Sequence, residues 1–187
     1  MGCYKKSNVK FAYIKRSEGT GYTDSLFEKH SRDAQTYGVL WGAYHYYYFD
    51  ADPIDQAQNF YNLLPKDTAM ITPAVDIELS DSGTLPKPTE GASALNKFSD
   101  EFLRLSGVSP VFYVTSDSYN KYLSDVKVPN KLWYRSTFGH PEVKNWTIWQ
   151  YSDKGIFGKS KGYIDRNAFA GSSDDLDKMI VKFGNSK

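Results

Sequence analysis

Two carboxylates stand at alternate positions in an apolar run, Ala74-Val75-Asp76-Ile77-Glu78-Leu79. Alternate residues on a strand point to one face, so Asp76 and Glu78 project together while Val75, Ile77 and Leu79 face the other way. Their Cα atoms would lie roughly 6.5–7 Å apart, twice the rise per residue. Two acids facing one way from a buried strand repel each other, and burial disfavours both charges. Such a pair tends to hold one proton and release the other, as an acid and its charged partner require. The run also reads as a strand end entering solvent with both acids hydrated, because the polar stretch Ser80-Asp81-Ser82-Gly83 follows.

The elements that would hold this pair alternate in type. Val9 to Lys15 is rich in strand formers, and a charged loop with two glycines, Arg16 to Tyr22, follows it. Thr23 suits the N-cap of a helix running to about Tyr37, with Gly38 as its stop. Val39 to Phe49 reads as a ring-loaded strand, and Asp52-Pro53 as the start of the next helix. Met70 to Leu79 is the third strand, and a helix to about Ser106 ends before Gly107. Val111 to Val114, a brief helix near Tyr119 to Leu123, and Leu132 to Phe138 continue the alternation. Then the pattern changes. Trp146 to Tyr151 and Gly162 to Asp165 read as strands, with a turn at Gly155 to Gly158 between them. A last helix spans about Ser173 to Phe183. Strand–helix alternation argues for parallel strands under covering helices, in an α/β barrel or a doubly wound sheet. No glycine-rich phosphate loop follows any strand, and the chain is short for a full eight-unit barrel.

Composition narrows the functional classes. At 187 residues the chain is expected to form one domain, residues 1–187. A net charge of +1 gives no support for nucleic-acid binding. A single cysteine, Cys3, rules out an internal disulfide and a zinc cluster, and reads as incidental. No His/Asp/Glu spacing suggests metal ligands, so no metal or cofactor is expected. No apolar stretch is long enough to span a membrane, and no charged-then-apolar leader opens the chain.

Five motifs together resemble the glycoside hydrolase family 25 lysozymes of phage endolysins and bacterial muramidases. They are Phe11-Ala12-Tyr13-Ile14-Lys15-Arg16-Ser17-Glu18-Gly19, Gly42-Ala43-Tyr44-His45-Tyr46, Asp76-Ile77-Glu78, Trp146-Thr147-Ile148-Trp149-Gln150-Tyr151, and Ile164-Asp165-Arg166-Asn167-Ala168-Phe169. Any one is weak, but all five stand in the family's order between about Val9 and Gly171. The resemblance implies a TIM-like irregular barrel of about five β/α units closed by antiparallel strands. It also implies cleavage of the β-1,4 bond between N-acetylmuramic acid and N-acetylglucosamine, with peptidoglycan glycan strands as partner and the cell wall as the place of action. Without a visible leader, that place would be reached by lysis or an unrecognised route. Glu78 would match the general acid/base and Asp76 the carboxylate that stabilises the developing cation or orients the substrate's N-acetyl group. Asp165 would match the carboxylate of the last strand.

The chemistry agrees independently, since glycoside hydrolysis needs a protonated acid at the leaving oxygen and negative charge near the oxocarbenium-like centre. Tyr44, Tyr46, Trp133 and Trp149 could offer ring faces to sugars, and each also reads as core. Lys15 and Glu18 are site-wall candidates by resemblance, or a solvated loop pair. His45 reads as a hydrogen-bonded core histidine, and His30 and His140 as surface residues.

The match departs from the family at its start. Members begin with a strand, roughly Gly-hydrophobic-Asp-hydrophobic-Ser, which supplies one active-site aspartate. Here Met1-Gly2-Cys3-Tyr4-Lys5-Lys6-Ser7-Asn8 leads directly into what resembles the second strand, so that strand is missing or replaced. Asp24 and Asp33 are expected on the following helix and do not substitute by motif. The expected consequences are an exposed strand edge, through which a homodimer can form, and reduced or absent activity. The alternative function is then a catalytically weak relative that binds peptidoglycan without turning it over. Arg135 stands where the family usually has alanine and would alter the groove's polarity.

Overall fold

In the computed structural model, residues 9–79, 84–125, 130–157 and 162–184 are described. Cys3, the Ser80–Gly83 stretch and Gly158 lie outside them. The elements are β1 (Phe11–Glu18), β2 (Tyr22–Thr23), α1 (Phe27–Thr36), β3 (Leu40–Tyr46), α2 (Pro53–Leu63), β4 (Ala69–Ile77) and α3 (Pro88–Ser106). They continue with β5 (Val111–Thr115), α4 (Ser116–Tyr122), β6 (Leu132–Arg135), β7 (Trp146–Gly155), β8 (Ile164–Phe169), α5 (Ser173–Asp177) and β9 (Ile180–Lys182).

One sheet runs in the order β2-β1-β3-β4-β5-β6-β7-β8, with β9 paired to β4. Pairing is parallel from β1 through β3, β4, β5 and β6 to β7, and antiparallel between β7 and β8. The sheet curls on itself. The rings of Tyr13 on β1 and Trp133 on β6 are four places apart along it, yet their centroids lie 4.8 Å from each other. This is the curled half-barrel of a TIM-like α/β fold, open between β1 and β8 among the described residues.

The period of two sorts side chains into two cores. The outer layer, between sheet and helices, holds Phe27, Trp41, Ala43, Tyr47, Phe60, Val75, Ile77, Phe98 and Phe102. The inner layer holds Ile71, Ala74, Val111, Tyr113, Trp133 and Ile148, with Leu176 and Met179 closing its lower end. Buried His45 belongs to the outer layer, stacked between Phe60 and Phe98 with centroids at 5.3 and 5.6 Å. Its Nδ1 meets Ser17 Oγ at 2.9 Å, which fixes the bulge where β1 shifts register against β3.

Three local expectations change. Thr23 is not a helix cap: it pairs with Ser17 in the small β2 hairpin, and α1 begins at Phe27. Asp24 therefore lies ahead of the helix, where its Oδ1 accepts from Leu26 N at 2.7 Å. The last helix is one turn only, after which Ile180-Val181-Lys182 pairs antiparallel with Ala69–Ile71. The cause is a vacancy in the ladder: β5 joins β4 only from Ala74 upward, leaving the lower edge of β4 free for a β-branched segment. Gly155, read as a turn, is the last residue of β7, opposite Ile164.

Candidate active site

The carboxyl ends of the parallel strands build one wall by register alone. Tyr46 on β3 lies beside Asp76 on β4, Asp76 beside Tyr113 on β5, and Tyr113 beside Trp133 on β6. In-register neighbours share a face, so this row points inward together. Glu78 is the first residue but one after Asp76, just beyond the end of β4. A cavity of about 890 Å³ is lined by Asp76, Glu78 and Asp165, with Lys15, Tyr44, Tyr113, Trp133 and Gln150 among its walls. The three expected carboxylates thus face one space.

Of the expected binding residues, Lys15, Tyr44 and Trp133 line that cavity. Trp133 is fixed by an Nε1 hydrogen bond to Asn167 Oδ1 at 2.8 Å, tying β6 to β8. Glu18 and Tyr46 stand behind Lys15: the Lys15 ammonium pairs with Glu18 and lies 5.3 Å from the centre of the Tyr46 ring. Trp149 is not among the cavity walls. Its Nε1 donates to Ser136 O at 2.8 Å and its ring packs with Trp146, His140 and Tyr151. The reason is parity: Ile148 and Gln150 take the inner positions of β7, so Trp149 between them turns outward.

Electrostatics separates the carboxylates. Asp76 is half-buried, and the desolvation of its carboxyl, reinforced by Glu78, pushes its pKa well above the ordinary value. Its Oδ1 is buried with no hydrogen-bond partner among the described residues. Partial burial and the nearby Asp153 also raise Asp165, while Arg135 opposes them. Arg135 itself donates to Asp153 Oδ2 at 3.0 Å, so its charge is partly engaged at the rim. Burial pushes Glu18 up, but hydrogen bonds from Lys15 and Tyr48 outweigh it and hold the carboxyl below its usual range. Burial and then Asp76, Asp165, Asp24 and Glu18 push the Tyr44 hydroxyl up, and burial with Glu78 and Asp76 pushes Tyr46 up to about 12. These phenols are donors at every physiological pH.

Sequence reasoning passed over Tyr113, set Asp24 and Asp33 aside by motif, and quoted Asn167 within a motif without a role. Tyr113 carries the only polar tip in Val111-Phe112-Tyr113-Val114, a signal that pointed to the inner face. Asp24 and Asp33 both line the cavity, Asp24 from the turn after β2 and Asp33 from α1. Among the described residues no group of His, Cys, Asp and Glu could hold a metal ion.

Comparison with known proteins gives the family. The profile of Glycosyl hydrolases family 25 matches residues 2–159, and the chain belongs to that family. Lysozyme M1 of Streptomyces globisporus is 29% identical, over 92% of this chain and 64% of its own length. The autolytic lysozyme of Clostridium acetobutylicum is 28% identical, over 89% of this chain and 50% of its own. The chain therefore spans between half and two-thirds of these curated relatives. Among solved structures, a family 25 glycosyl hydrolase from Bacillus anthracis superposes with a TM-score of 0.83 at 29% identity, covering 93% of this chain and 84% of that one. A lysozyme of the same family from Aspergillus fumigatus gives 0.82 at 27%, covering 94% and 89%.

Proposed function

We propose that the chain is the catalytic domain of a peptidoglycan hydrolase, an N-acetylmuramidase cutting the β-1,4 bond between N-acetylmuramic acid and N-acetylglucosamine. The observation that carries this reading is the placing of Asp76, Glu78 and Asp165 on one cavity, with a buried, unpartnered oxygen on Asp76. Buried polar atoms in native proteins find partners, so that oxygen is the natural seat for a substrate N–H or hydroxyl. The names of the two curated relatives support the same class.

In this reading Glu78, at the open end of β4, gives its proton to the leaving glycosidic oxygen and later takes one from water. Asp76 holds the 2-acetamido group, whose carbonyl oxygen then attacks the anomeric carbon, or it balances the positive charge there. Asp165 adds negative potential from the opposite edge. Trp133 and Tyr113 form the floor against which a sugar ring rests. Peptidoglycan strands are the partner and the cell wall is the place of action. No helix among the described residues is long and apolar enough to cross a membrane.

A second reading is favoured by the opening between β1 and β8 among the described residues: a groove that binds glycan with one wall open turns it over slowly or not at all. Release of reducing ends from purified peptidoglycan, compared between the chain and Glu78→Gln, decides between them. Muramidase action predicts loss of roughly 10²–10⁴-fold in the variant. Equal release from both would remove Glu78 from the mechanism. No release from either, with retained sedimentation on peptidoglycan, would establish the binding reading.

A further inference from the structure

The mouth of the cleft has a second layer above the row of Asp76, Tyr113 and Trp133. Glu78 stands one residue past the Ile77–Val114 pair, so it is level with Thr115 on β5. Thr115 pairs with Arg135 on β6, and Arg135 with Gln150 on β7. Arg135 shares the parity of Trp133, which sets it on the inner face. It lies two strands from Glu78, or roughly 10 Å between Cα atoms. Its charge opposes the raised pKa of both Tyr113 and Asp165, two residues of the cavity wall. Among the described residues its guanidinium makes one side-chain hydrogen bond, from Nη2 to Asp153 Oδ2 at 3.0 Å, and the side chain stays 34% exposed. A guanidinium has five N–H donors in a planar fork, so most remain for a ligand. Lys15, the cation on the other side of the acids, is already paired with Glu18.

We infer that Arg135 is a specificity-determining residue, which binds a carboxylate carried by the muramic acid unit of the glycan strand. This role rests on the muramidase reading and names a feature of the substrate that the cleft selects. Arg135 stands where the family usually has alanine, so the feature belongs to this chain. A cleft edged by Asp76, Glu78 and Asp165 repels anions, and an exposed guanidinium offsets that repulsion at one place. Of the two alternating sugars only muramic acid bears a carboxyl, the lactyl group on its C3 oxygen. That carboxyl is free where the strand has lost its stem peptide. Otherwise it is amide-linked to a peptide with carboxylates of its own. A sugar laid on Trp133 with its glycosidic bond at Glu78 carries the C3 substituent along the same wall, toward β6. Planar, two-pronged pairing with a carboxylate is what a guanidinium supplies and an ammonium does not. Arg135 does not touch the reacting bond, so its effect falls on binding rather than on the chemical step.

The test compares soluble glycan strands that differ only in charge. One pair is stripped of peptide, with the lactyl carboxyl free or converted to its methylamide. The other pair keeps the stem peptide, with its carboxyls free or amidated. KM and kcat are measured for the parent chain, Arg135→Ala, Arg135→Lys and Asp153→Asn; where there is no turnover, a calorimetric Kd replaces KM. The expected parent result is about tenfold lower KM for the acid than for the amide in at least one pair, with kcat unchanged. Arg135→Ala should lose that preference while keeping the parent's values on the amide, which also shows that it folds. Arg135→Lys should keep part of the preference and Asp153→Asn all of it. Preference within the stripped pair assigns the lactyl carboxylate, and preference confined to the peptide-bearing pair assigns the stem. Equal KM within both pairs overturns the inference. So does a preference that survives in Arg135→Ala, or one that vanishes in Asp153→Asn, where the ion pair would be structural only. In each of those results turnover by the parent leaves the muramidase reading standing. A parent chain that neither cuts nor binds any of the four strands overturns both.

Discussion

Asp76, half-buried with its Oδ1 enclosed, and His45, fully buried, are ionisable groups on adjacent strands, and they respond to pH in opposite directions. Asp76 faces the cavity, and burial raises its pKa above the ordinary 3.8. The folded state then binds a proton that the unfolded state has released. Its contribution to stability is complete below about pH 3.8 and is lost as pH rises through the raised value. Asp76→Asn is therefore expected to raise Tm at pH 7, with the gain shrinking as pH falls toward 4, while activity on peptidoglycan drops. A Tm gain that stays constant with pH would show that the carboxyl is not desolvated. His45 faces the helices, and burial pushes it from 6.5 down to about 4. Here the unfolded state binds the extra proton, so stability present above pH 6.5 is lost as pH falls toward 4, by about 3 kcal/mol. Thermal scans of His45→Gln should show a flatter acid limb than the parent chain.

At the scale of elements, short sequence signals set the ends and close approaches set the spacing. Asp52 caps α2, its Oδ1 accepting from Ile54 N at 2.8 Å and Asp55 N at 3.1 Å. Asp52→Ala should cost about 1 kcal/mol, measured by urea denaturation, because two first-turn donors lose their acceptor. In the sheet, a Cβ at Gly42 would stand 2.6 Å from the Tyr13 ring and 3.2 Å from Ile71 O. Tyr13 cannot yield easily, since its hydroxyl donates to Thr72 O at 2.9 Å and its ring packs on Trp133. Gly42→Ala is expected to destabilise by about 1–3 kcal/mol and, through Trp133, to weaken glycan binding. Glycan binding unchanged despite the lost stability would separate Gly42 from the cavity floor.

For the whole molecule, the C-terminal segment acts as a clasp. It runs under the sheet as β9, Thr72 N and Oγ1 both donate to Met179 O at 2.8 Å, and Asp67 N donates to Phe183 O at 2.6 Å. Phe183 is 4% exposed and packs edge-on to Tyr61, joining the clasp to α2. Phe183→Ala should cost about 3–5 kcal/mol and lower Tm by roughly 10 °C. A change under about 1 kcal/mol would mean that β9 frays without consequence to the core.

What the sequence determined by itself is local and periodic. Asp52-Pro53 and Gly107 marked helix ends through capping and left-handed geometry. The alternation in β3 and β4 already divided Tyr44, Tyr46 and Asp76 from His45, Tyr47 and Val75, because parity needs no partner to be read. The five motifs placed the chain in its family. Tertiary structure decided whatever depends on a neighbour distant in sequence. Ile180-Val181-Lys182 became a strand only because β5 leaves the lower edge of β4 uncovered. Trp149 does not line the cavity because the parity of β7 is set by its register against β6. Asp24 reached the cavity wall because a hairpin of two residue pairs turns the chain back beside β1. Asp76 binds its proton more tightly because burial, which only the assembled sheet creates, penalises its charge.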